Sequence, residues 1–361
     1  MVKPLQSALK LAIAGANAER GWARDTHIPA LKALPGIELF AVSARTQAIA
    51  DEAARTFGAA RAFGDTLEMV RDPDVDVVAV LVKVPEHRAI VLAALAAGKH
   101  VYCEWPLGRD LAEAEELAAA AKQAGVHVAI GLQGANSLAV RHAAKLVRDG
   151  AIGRPLSLRV VSSTAGWGAL APPHYVYLQD RRNGATLATI AGGHTLAAVE
   201  AVVGSFKNLS ARNSILLDTV EIIGTNEVVE RTCADHMLIT GLHDSGCVSS
   251  VEILGGVPIP LRFELRGTKG SLEITGHHPG GYQCAALTVK CTPEATAQPL
   301  PTVPGLSDAT INVAQVWAQF EADIRTGTHS VPDFATAVRL TRLLDAIEIS
   351  SDEGRTLTLG D

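Results

Sequence analysis

The sequence predicts an α/β domain with a doubly wound parallel sheet at the N-terminus, followed by an α+β domain with an open, mainly antiparallel sheet. The length of 361 residues exceeds one typical core, so two domains are expected. The first third alternates apolar runs with alanine-rich helical segments, which is typical of parallel sheets with right-handed crossovers. Beyond Gly134 the pattern changes to strands of a different style and ends in two helices. We therefore predict domains at residues 1–133 and 134–361, with packing of the last helix back toward the first domain as an alternative.

Five apolar runs are the predicted parallel strands of the first domain, and alanine-rich segments are the predicted helices between them. Gly58, Gly98 and Gly125 follow these helices, at positions where a left-handed residue ends a helix. The predicted strands span residues 11–14, 38–43, 75–82, 100–104 and 126–131, and the predicted helices span 49–57, 89–97 and 111–124.

In the second domain, a predicted helix over residues 137–148 precedes the strands. The segment 235–255 indicates a hairpin that turns at Asp244–Gly246, and the proline-rich segment 293–306 is a predicted surface loop. We expect the helices on one face of the sheet. The open face predicts a homo-oligomer, most simply a dimer. Further strands are predicted over 156–162, 247–254, 261–266 and 271–275, and the closing helices over 312–326 and 333–350.

The composition is typical of a folded protein and argues against some classes of binding partner. Hydrophobic residues make up 48% of the chain and charged residues 19%. The net charge of −6 gives no basic footprint, so we do not expect nucleic acid as a primary ligand. No run of apolar residues is long enough to predict a membrane span. Five cysteines, an odd number without close pairs, favour reduced thiols and a cytoplasmic location.

The turn after the first predicted strand provides the first functional signal. Gly15, Ala16 and Asn17 follow the strand directly, and Gly21 and Trp22 precede a helical segment. A strand, a glycine turn and a helix in this order let the backbone approach a pyrophosphate. Compared with the fingerprint G-x-G-x-x-G, Asn17 replaces the second glycine and Gly21 comes two residues late. An ordinary connection between strand and helix is the alternative interpretation.

The end of the second predicted strand points to the type of dinucleotide. Dinucleotide folds that bind NAD place an acidic residue here for the ribose hydroxyls. This chain has Ser43 and Arg45 instead. A hydroxyl and a guanidinium suit a 2′-phosphate because they form charge-assisted hydrogen bonds with its oxygens. The sequence therefore predicts NADP(H) in preference to NAD(H), with a solvated arginine at a helix start as the alternative.

Residues 96–107, AAGKHVYCEWPL, resemble the wording A-G-K-H-V-x-x-E-K-P-L-A of the Gfo/Idh/MocA oxidoreductases. Phe320 and Pro332, near the C-terminal end, are similar to that family's last helices. The resemblance implies a Rossmann domain followed by an open, mainly antiparallel sheet, which agrees with the fold predicted above. It also implies further cofactor contacts, which we expect from Val82, Lys83, His87, Glu104, Trp105 and Gln133.

Several short motifs, in order along the chain, resemble the Gal80-like subgroup of this family. The subgroup also has a lengthened phosphate turn and a tryptophan after the glutamate. Resemblance to it implies a regulator of transcription that binds a dinucleotide without turnover. The matching motifs are Gly21-Trp22-Ala23, Thr26-His27, Glu104-Trp105, Leu132-Gln133-Gly134, Gly166-Trp167, Tyr175-Val176-Tyr177 and Gly193-His194-Thr195.

Trp105 stands where the family has a lysine near the nicotinamide and the substrate hydroxyl. Tryptophan cannot transfer a proton, and general acid–base help contributes about 10²–10⁴ in rate, or roughly 3–5 kcal/mol. Lys83, after a predicted strand, and Tyr177 are candidate replacements. His194 matches a family histidine, but the aspartate expected shortly before it is absent. The choice among these three catalytic candidates stays open.

The segment 166–184 concentrates aromatic residues in a chain where they make up only 4%. Aromatic faces beside hydrogen-bond donors suit sugar rings or other small polyols, and packing is the alternative. The histidines of the C-terminal half lack zinc-ligand spacing, so no metal is expected. The predicted substrate contacts are Trp105, Trp167, His174, Tyr175, Tyr177, Asn183 and His194.

Two functions follow from these patterns. The first is an NADP(H)-dependent oxidoreductase that transfers a hydride to or from a sugar-like or other small carbonyl, hydroxyl or imine substrate. The second is a Gal80-like regulator that binds a dinucleotide without turnover. The cofactor domain is common to both functions, and Trp105 in place of lysine is the residue that separates them.

Overall fold

A computed structural model describes residues 7–294, 306 and 308–360. Contacts divide these residues into two compact units. The first unit contains the described residues up to Gly131 together with those from 306 to Val338, and the second contains the remainder. Most of the surface loop predicted over 293–306 lies outside the described residues.

The first unit contains a six-stranded parallel sheet, which confirms the predicted doubly wound α/β domain. The strand order is β3-β2-β1-β4-β5-β6, so the direction of winding reverses between β1 and β4. Ligands bind at the carboxyl ends of the strands at such a reversal. The strands are β1 (Leu9–Ala14), β2 (Ile37–Ser43), β3 (Arg61–Phe63), β4 (Val77–Val80), β5 (His100–Glu104) and β6 (Val128–Gly131).

The helices of this sheet begin and end at identifiable capping residues. In the helix over Gln47–Phe57, the Thr46 hydroxyl accepts a hydrogen bond from the Ile49 N–H, and Gly58 ends the helix in the left-handed conformation. The helix predicted over 89–97 begins earlier, at Val84, because a proline fits the first turn of a helix. The helices up to β6 are α1 (Ile28–Lys32), α2 (Gln47–Phe57), α3 (Thr66–Val70), α4 (Val84–Ala96) and α5 (Leu111–Ala124).

A helix from the C-terminal part of the chain completes the core of the first unit. Val313, Trp317 and Phe320 belong to the same buried cluster as Leu11 and Tyr102 of the parallel sheet. A length of chain far from the sheet in sequence therefore supplies part of its packing. The remaining helices are α6 (Leu138–Arg148), α7 (Gly193–Val203), α8 (Asp308–Thr326), which contains these core residues, and α9 (Phe334–Glu353).

The second unit contains an eight-stranded, mostly antiparallel sheet, as predicted, in which only β7 and β13 pair in parallel. The predicted hairpin is confirmed, with its turn between β12 and β13. A small sheet and the strand β9 were not predicted from the sequence. The strands are β7 (Pro155–Ser163), β8 (Leu170–Ala171), β9 (Phe206–Ser214), β10 (Thr219–Ile222), β11 (Val228–Glu230), β12 (His236–His243), β13 (Val248–Leu254), β14 (Leu261–Gly267), β15 (Ser271–Gly276), β16 (Thr288–Thr292) and β17 (Leu357–Thr358).

The two faces of the large sheet differ in polarity. Met237 and Ile239 point to the buried side of β12, whereas Leu238 lies on the exposed side. On that exposed side Arg159 and Glu264 are direct partners of neighbouring strands. The open face is therefore a mixture of charged and apolar side chains. Of the helices in the described part of the chain, none combines the length and hydropathy needed to cross a membrane.

Candidate active site

The turn after β1 passes very close to the connection between β4 and α4. Gly15 has a φ of +97°, and a Cβ atom on it would lie 2.7 Å from the Leu81 carbonyl oxygen and 2.9 Å from a Val82 methyl carbon. The Ser43 carbonyl accepts hydrogen bonds from the N–H groups of Gly15 (3.1 Å) and Ala16 (2.9 Å). Only glycine fits at position 15, because any side chain would push the turn away from the switch point of the sheet.

The extra residues of this turn are folded by the Asn17 side chain. Its Oδ1 accepts hydrogen bonds from the N–H groups of Glu19 (2.9 Å) and Arg20 (3.1 Å). Gly21 then adopts a φ of +103° with open space around it. The carboxamide oxygen of Asn17 therefore holds the lengthened turn together, and the cofactor contact predicted for Asn17 stays a prediction.

After this turn the chain forms a wide π turn over Ala23–His27 before α1 begins. The N–H of Ile28 donates to the carbonyl of Ala23, five residues earlier, and Pro29 has no N–H to continue an ordinary helix. The predicted helical segment is therefore helical, but with an enlarged first turn that accommodates the lengthened connection.

Each unit contains a buried polar side-chain atom among the predicted cofactor contacts that has no partner in the described part of the chain. The indole Nε1 of Trp22, in the first unit, is buried without a hydrogen-bond partner among the described residues, and so is the Oε1 of Gln133, in the second unit. An unpaired buried polar group costs about 1–3 kcal/mol, so each position is favourable for a ligand that supplies the missing partner. In the first unit, the Trp22 indole N–H and the close approach at Gly15 suit a nucleotide ligand.

The predicted 2′-phosphate position has one exposed cation and one buried hydroxyl. The Ser43 side chain is fully buried, and its hydroxyl shares a 2.9 Å hydrogen bond with that of Thr66. Ser43 therefore does not offer its hydroxyl to a phosphate, contrary to expectation, because that group links β2 to α3. Arg45 is exposed directly after β2.

His87 connects the two loops that follow β4 and β5. Its Nε2 lies 3.1 Å from the Val82 carbonyl, and its Nδ1 lies 3.0 Å from the Pro106 carbonyl and 3.4 Å from the Cys103 Sγ. Burial lowers the pKa of His87 and raises that of the Cys103 thiol, so both groups are neutral. A neutral ring has one N–H, so it donates either from Nε2 to the Val82 carbonyl or from Nδ1 to the Pro106 carbonyl. The Cys103 thiol donates to the Glu104 carbonyl at 3.4 Å.

This buried position differs from the cofactor contact predicted for His87. The ring is almost completely inaccessible, and its bonds fix the loops at the carboxyl ends of the strands. The predicted contact Val82 belongs to the same arrangement, because its carbonyl lies 3.1 Å from His87 Nε2. Both residues therefore position the edge of the sheet rather than present a polar group at it.

The remaining predicted residues of this edge differ in exposure. Lys83 is exposed and occupies the N-cap position of α4. Trp105 is only 5% exposed, so the side chain that replaces the family's lysine is packed in the interior and does not form an open pocket wall. Glu104, at the end of β5, accepts a hydrogen bond from His27 at 2.9 Å.

In the second unit, His194 lies in the first turn of α7 and is 3% exposed. The Tyr282 hydroxyl donates a 2.5 Å hydrogen bond to the His194 carbonyl. A Cβ atom on Gly134 would lie 2.7 Å from the Tyr282 hydroxyl oxygen and 2.9 Å from the Gln283 Cβ. Sequence reasoning missed Tyr282 and Gln283, although the two glycines that precede them marked a sharp turn.

The aromatic segment contains both buried and exposed rings. Trp167 adopts a φ of +60°, which is unusual for a bulky residue. Its indole N–H donates to the Leu178 carbonyl at 3.1 Å in the interior. The rings of His174 and Tyr175, both exposed, lie 4.4 Å apart. Trp167 therefore fixes the segment, and the packing alternative describes it better than a substrate contact.

Tyr177 and Asn183 are tied to each other. The Asn183 carboxamide N–H donates to the Tyr177 carbonyl at 2.8 Å, so this amide is used within the segment. Burial raises the pKa of Tyr177 to about 12. The phenol therefore keeps its proton at neutral pH and can donate a hydrogen bond.

Arg231, a buried residue that sequence reasoning missed, forms hydrogen bonds with the aromatic segment 166–184. Arg231 donates to the carbonyl of Gly168 at 2.5 Å, to the Gln179 side chain at 3.0 Å and to Asp235 at 2.7 Å. Two positions of the aromatic segment, Gly168 and Gln179, are thus bound to one guanidinium. Within the described ranges, no group of three or more histidine, cysteine or acidic side chains could hold a metal ion.

Two family models match the chain. The Gfo/Idh/MocA model, described as an oxidoreductase family with an NAD-binding Rossmann fold, matches residues 9–132. The model described as the C-terminal domain of Gal80p matches residues 139–276. The two matches follow one another along the chain.

Two curated proteins illustrate the relationship. Dehydrogenase aclE of Aspergillus oryzae is 30% identical over 334 residues, which cover 88% of this chain and 88% of the dehydrogenase. The galactose/lactose metabolism regulatory protein GAL80 of Kluyveromyces lactis is 29% identical over 299 residues, which cover 76% of this chain. The aligned part spans 65% of the length of that regulator.

Solved structures share the fold. A super-repressor mutant of Gal80p from Saccharomyces cerevisiae superposes with a TM-score of 0.87 at 24% identity, covering 98% of both chains. Levoglucosan dehydrogenase in complex with NADH and L-sorbose superposes with a TM-score of 0.80 at 23% identity, covering 98% of this chain and 99% of that one. The fold is therefore one that a repressor and a sugar dehydrogenase have in common.

Proposed function

We propose, from the premise that the chain belongs to the Gfo/Idh/MocA oxidoreductase family, that it is an NADP(H)-dependent oxidoreductase. It transfers a hydride to or from a sugar-like substrate or another small carbonyl, hydroxyl or imine compound. The observation that supports this function most is the close approach of Gly15 to Leu81, because it leaves backbone at the switch point of a parallel sheet. The unpaired indole N–H of Trp22 adds a donor for the anion.

Arg45 supports NADP(H) in preference to NAD(H). Its side chain is exposed at the position where NAD-binding proteins of this fold have an acidic residue. A guanidinium forms charge-assisted hydrogen bonds with a 2′-phosphate. The relative levoglucosan dehydrogenase holds NADH in its solved complex, so NAD(H) is the alternative that the cofactor measurements must separate.

A bound nicotinamide supplies or accepts the hydride, and a side chain of this protein must move the accompanying proton. The phenol of Tyr177, with its pKa of about 12, donates a proton or hydrogen bond and is not a base at neutral pH. Lys83 caps α4 at the carboxyl end of β4, and His194 lies in the first turn of α7. We assign proton transfer to Lys83 or His194.

The exposed rings of His174 and Tyr175 support a cyclic, polyhydroxylated substrate. Aromatic faces pack against the C–H faces of sugar rings, while nearby donors and acceptors orient the hydroxyl groups. In the second unit, Tyr177 adds a phenol donor to this segment. The related sugar dehydrogenase whose complex contains L-sorbose supports the same substrate class.

A turnover assay tests the proposed enzyme. The protein is mixed with NADPH, NADP⁺, NADH or NAD⁺ and a panel of aldoses, ketoses, anhydrosugars, polyols and cyclic imines, and the absorbance of reduced nicotinamide is followed. We expect steady turnover with at least one compound, and a fall in kcat of about 10²–10⁴ in Lys83→Met or His194→Asn. If both variants turn the compound over like the wild type, the assignment of the proton-transfer group is wrong.

The alternative function is a Gal80-like regulator without turnover. The buried Trp105 in place of a lysine favours it, and so does the match of residues 139–276 to the Gal80p C-terminal domain. Saturable dinucleotide binding with no turnover across the panel would support the regulator. Steady oxidation or reduction of any one compound would exclude it as the sole function.

A homo-oligomer through the exposed face of the eight-stranded sheet is also proposed. Leu238 and Val248 are exposed there among charged residues such as Arg159. Sedimentation of the wild type and of Leu238→Asp tests it, because a charge in the interface would lower the oligomer's mass to that of a monomer. The free thiol state of all five cysteines supports a reducing, cytoplasmic location.

A further inference from the structure

Four side chains of the first unit form a continuous set of hydrogen bonds that ends at the carboxyl edge of the sheet. The Trp317 indole N–H donates to His27 Nδ1 at 3.0 Å, and His27 Nε2 lies 2.9 Å from Glu104 Oε1. The Tyr102 hydroxyl donates to the same Glu104 oxygen at 3.1 Å. The rings of Trp317, His27 and Tyr102 are completely buried.

The indole fixes the tautomer of His27. An indole nitrogen can only donate, so Nδ1 of His27 must accept and the ring proton must sit on Nε2. His27 therefore donates to Glu104, and its ring cannot turn over without losing both bonds. Trp317 belongs to α8, so a residue 290 positions away in sequence sets the donor that faces Glu104.

Both donors bind the same oxygen of Glu104, which leaves Oε2 on the side of β6. Glu104 pairs with Gly131 in the sheet, and a Cβ atom at Gly131 would lie 2.6 Å from Oε2. The absence of a side chain there gives the carboxylate its place. The Glu104 side chain keeps 14% of its surface exposed, at the edge where ligands bind to such sheets.

Packing alone does not explain this arrangement. Tyr102 and Trp317 already stack at 4.5 Å with an angle of 15° between their rings. A carboxylate taken out of water beside them costs desolvation that apolar side chains would avoid. Its two donors come from neutral groups, which hold the carboxylate in one orientation without cancelling its charge. An oriented, partly exposed anion at a strand end is suited to accept hydrogen bonds from a ligand.

We propose that His27 and Trp317 are positioning residues: they hold the carboxylate of Glu104, a cofactor contact that the family resemblance implies, in the orientation that accepts a hydrogen bond from the bound dinucleotide. This inference rests on the proposed dinucleotide binding and names residues that set its affinity. His27, from the Thr26-His27 motif, and Trp317, from α8, thus act on the cofactor site through Glu104, although neither of them is exposed to a ligand.

Calorimetric titration of NADPH and NADH into purified variants tests the proposal without requiring turnover. Glutamine places its amide N–H where His27 has Nε2–H, whereas asparagine reaches only the position of Nδ1. We expect His27→Gln to bind within about threefold of the wild type and His27→Asn to bind at least about tenfold more weakly. Trp317→Phe keeps an aromatic ring without the N–H, and we expect a loss of about threefold.

His243 provides a matched control. It is equally buried, bonds the Gly204 carbonyl at 2.7 Å and Ser249 at 2.9 Å, and lies in the second unit. His243→Gln should lower the Tm while leaving the dinucleotide Kd unchanged. The near-ultraviolet circular dichroism of each variant shows whether its aromatic core is intact.

The outcomes separate this proposal from the function on which it rests. If the wild type binds neither dinucleotide, the proposed function fails and the inference fails with it. If the wild type binds but His27→Asn and His27→Gln bind equally well, only the positioning role is wrong. The positioning role is established if His27→Asn folds like the wild type but binds the dinucleotide more weakly, while His27→Gln keeps its affinity.

Discussion

The Gly15–Gly21 turn and the aromatic segment 166–184 position their residues by different means. In the turn, the backbone and its nearest neighbours are sufficient: Gly15 fits against Leu81, and Asn17 closes the turn over Glu19 and Arg20. In the aromatic segment, position depends on Arg231, which is far away in sequence. The first arrangement is local and the second is long-range, and the two should respond differently to mutation.

The largest expected effect is the loss of stability when the long-range hydrogen bonds of Arg231 are removed. Arg231→Met should lower the free energy of unfolding by about 3–5 kcal/mol, because it leaves Asp235 as a buried charge without its partner. Urea unfolding measures this. Arg182→Met removes an exposed pair with Asp180 and should leave the free energy of unfolding nearly unchanged, because water screens that pair. Equal losses in the two variants would contradict the role given to the buried arginine.

Next in size is the effect of Gly15→Val on the local turn. The valine would meet the Leu81 carbonyl and adopt a φ of +97°, so dinucleotide affinity should fall by at least about 100-fold, as measured by calorimetry. Gly21→Ala places the same backbone strain in open space and should weaken binding by no more than about tenfold. If the two variants lose the same affinity, the contact with Leu81 is not what matters.

Arg45→Gln tests whether the chain prefers NADPH to NADH. It should raise the Kd for NADPH about tenfold and leave that for NADH nearly unchanged, because one charge-assisted contact to the 2′-phosphate is lost. Arg55, also exposed, lies on α2 and serves as the control in Arg55→Gln. An equal change for both nucleotides in Arg45→Gln would refute the predicted 2′-phosphate contact.

The smallest expected effect is a pH dependence of stability. Burial lowers the pKa values of His100 and His127, and the neighbouring rings His127 and His329 respectively lower them further. The unfolded chain then binds more protons, so stability is complete above the ordinary histidine pKa of about 6.5 and declines as the pH falls through the folded-state values. His329→Gln should flatten this decline in Tm measured between neutral and acidic pH, and an unchanged slope would contradict it.

Predictions from sequence succeeded where the interactions are local. The strand at His100–Glu104 and the helix at Leu111–Ala124 were predicted to the residue. An apolar run marks the strand, and Asp110 and Gly125 lie directly before and after the helix. The short strand β3 was missed because three residues give too little pattern. The strand β9 was missed because its polar residues owe their place to pairing with β12.

The site was harder to predict for the same physical reason. Gly15 and Asn17 could be selected from the turn alone, whereas the burial of Ser43 depends on Thr66. Two other arrangements join distant parts of the chain: the hydrogen bond between Trp317 and His27, and the hydrogen bonds of Arg231. Neither has a local signal in the sequence. Conversely, Trp167 stood out as an aromatic residue in a polar segment, but its indole is used internally.

Calorimetric titration of the wild-type chain with NADPH and NADH tests whether the first unit is a dinucleotide site. We expect saturable binding at one site per chain, tighter for NADPH because of Arg45. No binding heat for either nucleotide up to millimolar concentrations, with the chain folded, would contradict it.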